Sequence, residues 1–200
     1  MKCNYKNRTQ DHVTGSIMDN GLGIGIMITE ILAYELFGIG AKRLKKLEAA
    51  INREIEKAKK HGKWTEQRCA DTEEFIYKAN RDYQDIFTAY NYRYRNYPDR
   101  QLTWILKGDE RDSGIFRNVS STSSDELFDA GLIIGIQACM VHLNYNLQIG
   151  APRLSVLEKA VIDELKEKRK YKIQTMNMEF IERYNRMSDN YNARFRNHPE

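Results

Sequence analysis

The chain repeats itself once, and that repeat limits its architecture more than any other feature. A shift of 110 residues lays Asp19, Gly21, Leu22, Ile24, Gly25 and Ile26 on Asp129, Gly131, Leu132, Ile134, Gly135 and Ile136. Past a gap, Ile39, Gly40, Ala41, Arg43, Leu44, Leu47, Glu48, Ala50 and Glu54 meet Ile149, Gly150, Ala151, Arg153, Leu154, Leu157, Glu158, Ala160 and Glu164. That makes 15 identities over the 36 positions from 19 to 54. At an offset of 101, the segment YNYRYRNYPD (90–99) faces YNARFRNHPE (191–200), with six of ten positions identical. Self-similarity on this scale implies a duplicated supersecondary unit whose copies bury apolar surface against each other. The expected organisation is a polar N-terminal segment (1–17), a first repeat (18–99), a linker (100–127) and a second repeat (128–200).

Each repeat reads as three helices. The first, near Met18 to Phe37, is apolar nearly all round and belongs at the centre. Gly21 and Gly25, echoed by Gly131 and Gly135, place small residues one turn apart, where two backbones can approach closely. The segment FGIG then ends the helix, because Gly38 and Gly40 tolerate the left-handed conformation of a C-terminal cap. In the second copy Pro152 follows the corner, a placement suited to the first turn of a new helix. The second helix, near Ala41 to Lys60, carries a narrow stripe of Leu44, Leu47, Ile51, Ile55 and Ala58 among lysines and glutamates. The third begins near Thr65 and spaces Phe75, Ala79, Tyr83, Phe87, Tyr90, Tyr94 and Tyr97 at intervals of three or four, matched by Phe180, Tyr184, Met187, Tyr191 and Phe195. A short hairpin over 105–116 is the only extended structure expected. The fold class is therefore all-α, a tandem duplication of a three-helix unit packed with pseudo-twofold symmetry.

Composition narrows the class further. With 41% hydrophobic residues, 30% charged residues and only 12 Gly and 3 Pro, the 200-residue chain is neither collagen-like nor disordered throughout. A net charge of +4 is mildly basic, and the local runs KAKKHGK (57–63) and KEKRKYK (166–172) read as solvated faces. Cys3, Cys69 and Cys139 are odd in number and widely spaced, which disfavours a disulfide framework or zinc knuckle and fits a reducing cytoplasm. The polar N-terminus lacks the apolar run of a signal peptide. The window 21–40 is long enough to suggest a membrane span, but it carries Glu30 and Glu35 and reads as a buried helix.

No nucleophile elbow, P-loop, His-Glu-x-x-His or paired Glu-x-x-His pattern occurs, so the expectation is a non-enzyme with no cofactor. His12, His61, His142 and His198 are unmatched between the copies, so no symmetrical metal site is expected. Gly21, Gly23 and Gly25 resemble a phosphate loop only superficially, because no strand precedes them and Ile133 replaces the middle glycine in the second copy.

Two surfaces carry binding chemistry. FGIGAKRLKKL (37–47) resembles the helix-hairpin-helix motif, in which a Gly-apolar-Gly turn aims backbone amides at a DNA phosphate. Lys42, Arg43, Lys45 and Lys46 would supply the electrostatic attraction, with Arg153 the one basic counterpart in the second copy. The simpler alternative is a glycine-capped helix corner. The second surface is Arg93, Arg95 and Asn96, beside Tyr92, with its twin Arg194, Arg196 and Asn197. Arginines two apart lie about 200° apart on a helix, so they share a face only if the helix ends between them, as Pro98 and Pro199 suggest. Such clusters can present donors to phosphate, nucleic acid or an acidic protein face, or simply complement the helix dipole.

The order of apolar helix, F-G-I-G corner and A-K-R-L opening of an amphipathic helix resembles small helical accessory proteins of bacteriophages and prophages. The resemblance covers roughly residues 20–60 and more faintly 130–170. It implies a phage protein acting in the host cytoplasm, in a group that includes inhibitors of bacterial defence. The leading expectation is a binder or anti-CRISPR-like inhibitor of a host protein that handles nucleic acid, as a monomer or homodimer. Direct nucleic-acid binding is the alternative, and a sponge for a phosphorylated nucleotide signal is a third reading.

Overall fold

The computed structural model describes residues 5–59, 66–104, 106, 124–168, 178–187 and 189, with side chains described over 17–40, 42–57, 74–104, 106, 128–167, 178–187 and 189. The helices are α1 (Tyr5–Phe37), α2 (Ala41–Lys59), α3 (Glu66–Arg93), α4 (Ser124–Leu147), α5 (Ala151–Lys168) and α6 (178–187), with a 3-10 turn at Pro98–Arg100. No strand occurs among the described residues, and the fold is all-α. The hairpin expected over 105–116 lies outside the described residues, apart from Leu106.

Two helices begin earlier than their apolar stripes suggest. α1 starts at Tyr5, inside the segment read as a separate polar N-terminus, and α4 starts at Ser124, inside the expected linker. Once a packed helix is nucleated, each added residue gains a hydrogen bond at little further cost, so polar residues without proline prolong it.

α1 and α4 form the centre, lying side by side and running in the same direction. Their glycines explain the closeness. A Cβ built on Gly21 would stand 2.1 Å from the carbonyl oxygen of Phe128, and one on Gly25 would stand 2.2 Å from that of Leu132. The partners exchange in return: Gly131 faces the Met18 oxygen at 2.1 Å and Gly135 the Leu22 oxygen at 2.2 Å. Any side chain at these four positions would collide with backbone, which cannot swing aside. By contrast, Gly23 on the outer face of α1 has open space. Ile28, Ala33, Ile136, Met140 and Leu143 continue the buried seam beyond the glycines.

Sharp corners end both central helices. Gly38 adopts a left-handed φ of 63°, and Gln148 takes the same conformation with φ 56°. The Ile149 N–H reaches back to the Leu143 carbonyl at 3.1 Å, which closes the second corner across the left-handed residue. The chain then returns as α2 and α5, whose stripes Leu44, Leu47, Ile51 and Leu154, Leu157, Val161 are fully buried, as their periodicity implies.

The outer helices lock across the molecule. α3 runs along α4 in the same sense, with Ile76 and Ala79 packed on Ile134 and Ala138. The Tyr83 hydroxyl on α3 donates to Glu158 on α5 in a fully buried bond, and the Tyr184 hydroxyl on α6 donates to Glu48 on α2 at 2.8 Å. A single core therefore draws on α1 to α6 together.

After α3 the chain crosses the bundle as a strap, described at residues 101–104 and 106. Asn91 brackets Leu102 by accepting its N–H and donating to its carbonyl, both at 2.8 Å. Trp104 stacks on Phe87 with ring centres 5.4 Å apart. Leu106 then donates its N–H to Glu158 at 2.7 Å and accepts from Gln137 at 3.2 Å. The strap seals this flank, leaving Tyr83, Phe87, Glu158 and Gln137 between 0 and 2% exposed.

Candidate functional site

The helix directions gather the sequence-predicted cations at one end of the bundle. α1, α3 and α4 finish there and α2 and α5 start there. Lys42, Arg43, Lys45 and Lys46 occupy the exposed face of the first turns of α2, between the buried Leu44 and Leu47. At the corner before them, the Gly40 carbonyl accepts the N–H groups of Arg43 at 2.9 Å and Leu44 at 3.3 Å, so this segment forms a helix cap. Arg153, at the start of α5, lies over the Phe37 ring at the end of α1, 5.8 Å from its centre. This contact joins the end of the first repeat's central helix to the second repeat's returning helix.

The end of α3 forms the most developed cluster. The helix stops at Arg93 and a turn follows, so Arg93 and Arg95 escape the 200° separation that a continuous helix would impose. Arg95 folds back over the Tyr92 ring at 4.6 Å and donates to the Tyr92 carbonyl at 3.1 Å. Arg100 covers two rings, Tyr97 at 5.3 Å and Tyr94 at 5.9 Å, while Tyr94 also packs on Tyr90 at 4.7 Å. Tyr92 and Tyr97 remain 69% and 54% exposed, and Asn96 is exposed beside them. Sequence reasoning overlooked Arg100; the signal was its place just after Pro98, where the chain turns back toward the tyrosines. The twin cluster of Arg194, Arg196 and Asn197 lies outside the described residues.

Two further polar groupings were not legible as sites. Between α2, α3 and α4 a small cleft has an apolar floor of Phe75, Ala79, Ala138 and Val141. On its wall His142 places Nε2 3.5 Å from Glu54, which also takes the Lys78 ammonium at 3.1 Å. Burial holds His142 below its ordinary pKa despite Glu54, so the imidazole is neutral at pH 7. The second grouping is buried. Glu30, on α1, is 1% exposed, and its Oε1 has no hydrogen-bond partner among the described residues. Burial, reinforced by the neighbouring Glu48, pushes its carboxyl up to about 9, so it is protonated at neutral pH. Burial likewise raises the thiol of the adjacent Cys139, which makes it a packed, unreactive side chain.

Among the described residues no three His, Cys, Asp or Glu side chains come close enough to hold a metal ion. Ile17–Phe37 is long and apolar enough to cross a membrane by length and composition, and more than half of it is buried inside the bundle. No protein-family model, curated protein or solved structure matches this chain.

Proposed function

We propose that this chain is a non-enzymatic binding protein that engages an acidic partner through the arginine-tyrosine end of its bundle. The observation that carries this reading is the cluster of Tyr92, Tyr94, Tyr97, Arg95 and Arg100. There, guanidiniums are held over rings that remain largely open to water. Rigid aromatic surface combined with oriented arginine is what contact hot spots are made of. Holding arginine against a ring also lowers the ordering cost of binding. The cations of the α2 start add long-range attraction at the same end. The resemblance to phage accessory proteins makes a host protein that handles nucleic acid the leading partner and the host cytoplasm the place of action.

Direct nucleic-acid binding is the second reading, favoured by the open rings, on which bases can stack while arginines meet phosphates. A phosphorylated nucleotide held by the same donors is the smallest version of that ligand. Capture from a bacterial lysate, run beside anisotropy titration of a single-stranded oligonucleotide at several salt concentrations, separates these readings. Protein capture lost in Arg93→Ala/Arg95→Ala, with no oligonucleotide binding, supports the leading one. Oligonucleotide affinity falling linearly with log salt supports the second. Binding indifferent to Arg93, Arg95 and Arg100 would rule out both.

We further infer that the two halves descend from one duplicated three-helix unit related by a pseudo-twofold axis. The reciprocal glycine contacts and the Tyr83–Glu158 and Tyr184–Glu48 bonds support it, because each pair exchanges partners at the sequence offsets of the repeat, and so do the left-handed residues Gly38 and Gln148, which occupy equivalent positions.

A further inference from the structure

The small cleft between α2, α3 and α4 occupies the place where the other half of the molecule holds a guanidinium. Under the duplication proposed above, on which this inference rests, Glu54 corresponds to Glu164, Ala138 to Ile28, Val141 to Ile31 and Tyr145 to Glu35 at the offset of 110. At the offset of 101, Ala79 corresponds to Phe180 and Asp82 to Arg183. Glu54, Ala79, Asp82, Ala138, Val141 and Tyr145 all line the cleft. In the other half Arg183 reaches Glu164 at 2.6 Å and Glu35 at 2.8 Å, with its guanidinium 6.0 Å from the centre of the Phe180 ring. Phe180, Ile28 and Ile31 are buried there. On the cleft side the four corresponding positions carry smaller residues, Ala79, Ala138, Val141 and Asp82. Trimming them leaves the hollow while keeping a pair of carboxylates. Glu54 persists, and Asp82 supplies from α3 the second acid that Glu35 supplies from α1.

We propose that this cleft is a binding site for the guanidinium group of an external ligand, clamped between Glu54 and Asp82 as Arg183 is clamped between Glu164 and Glu35. The enclosed volume is about 30 Å³, far below the roughly 300–1,000 Å³ of a cofactor site, so the head group enters and the rest of the ligand stays outside. Asp82 is 7% exposed, and Arg81 engages only its Oδ1, at 2.8 and 3.1 Å, so its Oδ2 is bonded by no described residue. Glu54 takes the Lys78 ammonium at 3.1 Å, but that side chain is half-exposed, and a surface pair of this kind contributes little, so it yields to a better donor. His142, neutral as described above, adds a wall without a competing charge. A guanidinium is the favoured cation because its planar fork donates to two carboxylates at once, whereas an ammonium is a point charge. The aromatic side chains that line the cleft, Phe75 and Tyr145, also suit a cation.

The test titrates the full chain at neutral pH with capped arginine, N-acetylarginine methylamide, and follows the His142 imidazole signals by NMR. Saturable shifts in the millimolar range are expected, as befits so small a ligand. Glu54→Gln and Asp82→Asn should each weaken binding roughly tenfold, the worth of one hydrogen bond to a charged group. Capped lysine should bind more weakly than capped arginine, and capped citrulline, the uncharged isostere, should not bind. Asp82→Arg rebuilds the arrangement of the other half inside the cleft, so it should fold by circular dichroism and refuse the probe. Propylguanidinium separates the sources of the head group. Capped arginine binding at least as tightly assigns it to a protein's arginine, and binding of propylguanidinium alone assigns it to a free guanidino compound. No His142 shift with either probe, whatever fills the cleft, would overturn the proposal. So would equal binding of capped citrulline, or an affinity unmoved by both Glu54→Gln and Asp82→Asn. The duplication is judged independently, by whether Gly21→Ala and Gly131→Ala are equally damaging, so failure of the cleft leaves that result standing.

Discussion

Placing a methyl group on Gly21 should destabilise this protein although alanine is the better helix former. The new Cβ would stand 2.1 Å from the Phe128 oxygen, 2.9 Å from the Leu132 nitrogen and 3.0 Å from the Phe128 carbonyl carbon, all backbone. Restoring ordinary contact requires α1 and α4 to part locally by roughly 1 Å, and a gap of that size forfeits about a quarter to a half of the dispersion attraction of the atoms along the seam. Overpacking of this kind costs about 1–3 kcal/mol. Alanine's helix propensity returns about 1 kcal/mol. A crossing point where the backbone cannot yield belongs at the upper end of the cost, so the net loss is about 2 kcal/mol. For a chain of this size that lowers Tm by roughly 4–8 °C. Gly23→Ala is the internal control. It meets nothing within 4 Å, so only the propensity gain remains, about 1 kcal/mol and roughly 2–4 °C upward. Urea denaturation and thermal melts followed by circular dichroism read both variants, with Gly131→Ala expected to match Gly21→Ala. Equal or same-sign shifts for Gly21→Ala and Gly23→Ala would refute the close crossing.

Two other substitutions test local chemistry. Glu30 holds its proton in the folded protein up to about pH 9 but releases it near 4.5 when unfolded, so its contribution to stability is full below about 4.5 and is lost as pH rises toward 9. Glu30→Gln should therefore be more stable than the parent at pH 8 by up to a few kcal/mol, with the gap shrinking toward pH 5; Tm differences that stay constant with pH would contradict this assignment. Gln148→Gly should stabilise the protein by about 1 kcal/mol by relieving a left-handed residue that bears a side chain, and Gly38→Ala should lose a similar amount, both measurable as urea midpoints.

Much of the architecture was legible because helical periodicity is a local property. The stripes Leu44–Leu47–Ile51 and Leu154–Leu157–Val161, and the buried run Ala79–Tyr83–Phe87, fall where spacing puts them. The Gly21/Gly25 and Gly131/Gly135 pairs announced a close backbone approach before any partner was known. What spacing alone could not convey is which groups meet across long stretches of chain. Tyr83 looks like one more apolar ring in a stripe, and only the fold brings Glu158 to its hydroxyl. His142 stands where the first copy has Leu32, and its neutral state follows from the helices that bury it. The start of α1 was misplaced because polar residues carry no periodic signal even when a neighbouring packed segment extends through them.

The crossing of Tyr83 to Glu158 has a bearing on how the molecule comes into being. The tyrosine leaves the ribosome 75 residues before the carboxylate that satisfies it, and at about 5–20 residues per second that is roughly 4–15 s of synthesis. Through that interval the nascent first half carries its largest rings and a glycine-lined helix with nothing to close upon. Closure of the core around that bond is thereby postponed until the second half, with Glu158, has been synthesised.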